Sequence, residues 1–83
     1  MRKIEEQIEE IFSRYNDRKD VTTALQELGF SLWAHTERPD GSKILDEEIW
    51  GYDKGIPNGQ VLILINWIDC FAWIFKKGRV IKI

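Results

Sequence analysis

Val61–Phe75 reads VLILINWIDCFAWIF, and the way this stretch folds decides the architecture of the chain. Its only polar side chains are Asn66 and Asp69. Val61–Ile65 is built of β-branched residues and leucine, which favours a strand. The continuation is ambiguous. Asn66 is a good helix cap, Asp69 follows three residues on, Lys76 and Lys77 suit a last turn, and Gly78 suits the position behind it. Trp67, Ile68, Phe71, Trp73, Ile74 and Phe75 favour β structure, and Lys77-Gly78 suits a tight hairpin turn between two matching segments. The strand reading is adopted. It predicts strands over about 61–66, 70–76 and 79–83, with Asn66–Asp69 as the turn between the first two.

Outward from this segment the remaining elements follow from periodicity. Ile4, Ile8, Ile11, Phe12 and Tyr15 lie on one stripe of a helix over about 3–16. Glutamates crowd its first half, as the helix dipole favours. Asp20 is the expected cap of a second helix over about 21–28, whose apolar face is Val21, Ala24, Leu25 and Leu28. Gly29 suits its end. The period then changes to two. A strand is expected over about 30–37, with Phe30, Leu32 and Ala34 facing the helices. Arg38-Pro39-Asp40-Gly41 forms a turn. A strand over about 43–52 places Leu45 and Ile49 on one face, and Ile44, Trp50 and Tyr52 on the other. Asp53–Gly59 reads as a loop, with Asn58-Gly59 as a local turn. The expectation is one small α+β domain over 1–83, two N-terminal helices packed on one face of a four- or five-stranded antiparallel meander.

The central strands carry apolar residues on both faces, whereas an antiparallel sheet with one wet face alternates. Two short helices cover only one side. The second face is expected to gather Trp33, Trp50, Tyr52, Phe71, Trp73 and Phe75, with Trp67 and Ile68 at a turn tip. These eight residues form the candidate partner-binding set, since tryptophan and tyrosine anchor interfaces with large area and few torsions. The occupant would be another protein or a second copy of the chain, in a homodimer. A sheet curled onto its own aromatics is the alternative, in which they complete a small core.

Charge and composition bound the function classes. Fourteen acidic and twelve basic side chains give a net charge of −2, against the basic balance of a general nucleic-acid binder. The acids cluster in the middle as Glu37, Asp40, Asp46, Glu47, Glu48 and Asp53, and the bases at the end as Lys54, Lys76, Lys77, Arg79 and Lys82. Sheet aromatics beside the basic C-terminal hairpin outline a single-stranded nucleic-acid platform, the second functional reading. Acidic neighbours on the middle strands would repel phosphate.

A metal- or cysteine-dependent enzyme is the third reading. His35 is the sole histidine and Cys70 the sole cysteine. His35 with Glu37 and Asp46 or Glu48 makes a thin ligand set, and Cys70 among apolar neighbours makes an inert thiol. No phosphate-binding glycine pattern exists, so no cofactor, no metal and no catalytic residue is assigned. No motif is specific enough to identify a family.

A single cysteine allows no internal disulfide, which suits a reducing compartment. Residues 1–12 alternate charge with apolar groups, unlike a secretory signal, and Val61–Phe75 falls short of the ~20 residues of a spanning helix. A soluble cytoplasmic protein without membrane contact is expected.

Overall fold

The computed structural model describes residues 2–54, 56 and 59–83. Two helices, α1 (Ile4–Arg14) and α2 (Arg18–Leu28), precede five strands: β1 (Phe30–Glu37), β2 (Lys43–Tyr52), β3 (Val61–Asn66), β4 (Phe71–Lys76) and β5 (Arg79–Lys82). The strands form one antiparallel meander in the order β1-β2-β3-β4-β5. The α+β architecture read from periodicity is therefore the one observed. The expected turn at Asn58-Gly59 lies partly outside the described residues.

Residues 66–77 resolve into turn and strand. The side-chain carbonyl of Asn66 accepts the backbone N–H groups of Ile68 (3.0 Å) and Asp69 (2.8 Å), closing a turn rather than opening a helix. Cys70 ends that turn at φ 58°. At the next reversal Lys77 and Gly78 take φ 49° and 76°. Two positive φ values in a two-residue loop match the right-handed twist of the flanking strands. That loop fixes the register of β4 and β5, with Trp73 opposite Lys82 and Phe75 opposite Val80.

The helices differ from expectation at their ends. α1 stops at Arg14, where Tyr15 is already extended. α2 begins at Arg18 behind an extended Asp17, so Asp20 lies in its first turn instead of capping it. An acid is favourable in either place, which is why residue type alone misplaced the start. Gly29 closes α2 at φ 120°, its N–H reaching the carbonyls of Leu25 and Gln26.

The core lies between the helices and one sheet face. Ile4, Ile8, Val21 and Leu25 meet Phe30, Trp50, Val61, Ile63, Ile65, Ala72 and Ile74. Cross-strand register puts Trp50, Ile63, Ile74 and Ile81 in one row on that face. An ion cluster ties the first helix to the last hairpin. Glu5, itself buried, receives Lys76 at 2.7 Å and Arg79 at 3.2 Å.

Strand β1 departs from simple alternation. Its register to β2 shifts between Leu32 and Ala34, which inserts Trp33 as an extra residue. Leu32 stays opposite Trp50 but is exposed, and Ala34 moves opposite Ile49, away from the core. The expected inward trio Phe30, Leu32 and Ala34 thus reduces to Phe30.

Candidate functional site

Among the described residues no element covers the other side of the sheet. Rows read across the strands from the register are Glu47, Asn66 and Phe71; then Ala34, Ile49, Leu64, Trp73 and Lys82; then Gly51, Leu62, Phe75 and Val80. The bulged Trp33 lays its indole on Gly51, where a methyl group would stand only 2.1 Å from the ring. Its Nε1 donates to Asp53 Oδ1 at 3.3 Å. Phe75 and Val80 are exposed, the latter by 54%, while Leu62, Leu64, Phe71 and Trp73 are half-buried among one another. This is a continuous apolar surface with polar groups at its margins, the form that marks an interaction site.

Of the residues expected there, Trp33, Phe71, Trp73 and Phe75 are present. Trp50 and Tyr52 are not. Trp50 faces the helices at 2% exposure. Tyr52 stacks at a tilt on Phe30, ring centroids 5.0 Å apart, beside Gly29. The misplacement has a physical cause. Trp50 and Tyr52 share their strand side with Glu48 while Ile49 shares the other with Glu47, so a carboxylate on each side leaves alternation unable to say which one faces the core. Glu48 is in fact buried and fully served. Its Oε1 accepts the indole N–H groups of Trp50 (2.9 Å) and Trp67 (2.8 Å), and its Oε2 accepts Arg18 Nη2 at 2.8 Å. Burial alone would push this carboxyl up, but the two indoles and the guanidinium hold it below the usual glutamate range.

The same carboxylate withdraws Trp67 from the expected tip. Trp67 packs against the core, its backbone N–H donating to the Asp46 carbonyl at 2.9 Å and Arg18 lying 5.2 Å from its ring centroid. Of the two apolar residues expected at the tip, Ile68 projects from the turn, 70% exposed. Asp69 is exposed in the turn. Between this turn, the end of α1 and the start of α2 runs a groove of about 540 Å³, lined by Phe12, Tyr15, Trp67, Ile68 and Phe71 among others.

Strand pairing also supplies face residues that were not assigned as site residues: Ile49, Leu62, Leu64 and Val80, with Glu47 and Lys82 as the flanking charges. A usable signal existed for part of this set. The Lys77-Gly78 loop fixes Val80 and Lys82 against Phe75 and Trp73 once its type is assumed.

Other constellations do not assemble. Glu48 is engaged with the tryptophans, Glu37 pairs with Lys43 at 3.0 Å, and His35 Nδ1 lies 3.2 Å from the Glu47 carbonyl. Among the described residues no three metal-ligating side chains converge. Cys70 is exposed on its turn, not enclosed by apolar neighbours as expected, because the positive φ turns the chain outward there. Lys76 and Arg79 are drawn to Glu5 on the helix side, so the basic hairpin does not line the aromatic face as a set. Among the described residues no helix is long and apolar enough to cross a membrane. No known family model, curated protein or solved structure matches the chain.

Proposed function

We propose that the chain is a small non-enzymatic module that binds protein through the uncovered face of its sheet, as a subunit, inhibitor or immunity-like factor. The observation that supports this is the uninterrupted apolar surface of Trp33, Ile49, Leu62, Leu64, Trp73, Phe75 and Val80, opposite the helix-covered core. Burying such a surface against a partner removes apolar area from water at about 25 cal/mol per Å². Aromatic anchors add contact at low entropic cost. Single-stranded nucleic acid fits less well. Glu47 stands on the face itself, and two of the basic residues that would hold phosphate are paired with Glu5.

The test is site-specific photocrosslinking in the cytoplasm of an expressing cell. A photoreactive residue replaces Phe75 on the face, or Gln26 on the outer side of α2 as the control. Protein adducts are expected from position 75 and not from position 26. No adduct from position 75, or equal yield from both, would overturn the reading.

A further inference from the structure

Beyond Asp53, which accepts Trp33 and Ser31 at the β1 edge, the face carries Glu47 and Lys82, and their placement identifies an occupant. Glu47 lies on β2, in the row of Asn66 and Phe71. Lys82 lies on β5, with its Nζ 5.8 Å from the centroid of the Trp73 ring. Glu47 accepts the Asn66 amide at 2.8 Å, a neutral partner that leaves its charge uncompensated. Among the described residues neither Glu47 nor Lys82 takes part in an ion pair. Ile49, Leu64 and Trp73 fill the space between them.

We propose, resting on the protein-binding reading above, that the partner is a second copy of this chain, packed face to face about a two-fold axis. The axis runs along the strands, between the two sheets and midway between β3 and β4. That operation carries β2 over the second copy's β5 and β3 over its β4. Leu64 then meets Trp73, Leu62 meets Phe75, and Glu47 of each copy comes over Lys82 of the other. A two-fold interface pairs residue i with j and j with i, so it needs both signs of charge on one face, equally spaced from the axis. A nucleic-acid platform would need cations alone. Glu47 and Lys82 sit one pleat row apart, about 6.6 Å along the strands, within reach of a lysine side chain.

The area suits a weak, concentration-dependent pair. The four overlapping strands, about 4.8 Å apart and read over about six residues, give a flat footprint near 380 Å². Side-chain relief raises the accessible area above that, toward the roughly 600 Å² per partner of the smaller specific interfaces.

The experiment is sedimentation equilibrium on the purified chain, with Glu47→Lys, Lys82→Glu and the double reversal, and with circular dichroism to confirm folding of each. The wild type is expected to approach twice the 9.8 kDa chain mass as its concentration rises. Each single reversal sets like charges together at two symmetric places and weakens the dimer by about tenfold or more, and the double reversal restores it to within about threefold. Hydroxyl-radical footprinting of Trp33 and Trp73 accompanies it. A wild-type monomer at all concentrations overturns the two-fold pair. If Trp33 and Trp73 are then readily oxidised, the face remains open to a different protein. If they are shielded in that monomer, the protein-binding reading falls as well. A dimer that ignores the single reversals, or that the double reversal fails to restore, also overturns this geometry.

Discussion

Replacing Glu48 by glutamine keeps the side-chain shape and removes one charge from the point where β2, α2 and the β3–β4 turn meet. The carboxylate serves two indole N–H donors through one oxygen and Arg18 through the other. A glutamine oxygen turned to the indoles still accepts both, but as a neutral acceptor. Charge-assisted hydrogen bonds contribute about 1.5–3 kcal/mol against about 0.5–1.5 for neutral ones, so two weakened bonds lose about 2 kcal/mol. The amide left facing Arg18 opposes donor to donor. Arg18 is largely exposed and retains Asp46 at 3.0 Å, so this adds little. An amide is cheaper to bury than a carboxylate, which offsets part of the loss. The expected destabilisation is about 1–2 kcal/mol at pH 7, a fall of about 1 M or more in urea midpoint for a domain of this size.

The pH dependence carries the sharper test. The folded-state pKa of Glu48 lies below its unfolded value, so its contribution is complete above the unfolded glutamate pKa of about 4.3. It is lost as pH falls through the folded value. The gap between wild type and Glu48→Gln in urea melts should therefore be constant from pH 7 down to that region and then close. Equal stability at pH 7, or a gap that persists unchanged into acid, would refute the view that a charged acceptor holds the two tryptophans.

Glu5→Gln should destabilise by about 1 kcal/mol at neutral pH, because Lys76 and Arg79 lose their anionic partner at the α1–hairpin junction. Its hydrogen bond to Lys76 is the main cause of its lowered pKa, so this loss also fades in acid, and a pH series of urea melts checks it. Gly51→Ala drives a methyl into the Trp33 ring. The half-exposed indole can swing away, so the cost in stability is about 1 kcal/mol or less. Iodide quenching of tryptophan emission should rise in this variant, and unchanged quenching would argue against the stacked geometry.

Much of the fold was legible because the relevant physics is local. The strand identity of β3 follows from five consecutive branched or leucine side chains, and Asn66 and Lys77-Gly78 are turn chemistry that needs no tertiary partner. Helix stripes and Gly29 are of the same kind. Elements whose ends depend on a choice between equivalent acids, such as Asp17 and Asp20, were placed only to within a few residues.

The candidate face was legible in part. Phe71, Trp73 and Phe75 alternate on one strand, so they share a side whatever surrounds them. Trp50 and Tyr52 could be assigned a side only by knowing whether Glu48 is wet, and that depends on Arg18 from α2 and Trp67 from a distant turn. Trp33 lies on the open face as alternation places it, but Ala34 joins it there through a bulge, a register shift that no single-strand periodicity encodes. The sequence by itself determined the elements, their order and the excess of apolar surface. Tertiary structure decided which side each middle-strand aromatic takes, because a buried carboxylate is stable only where donors from other elements converge on it.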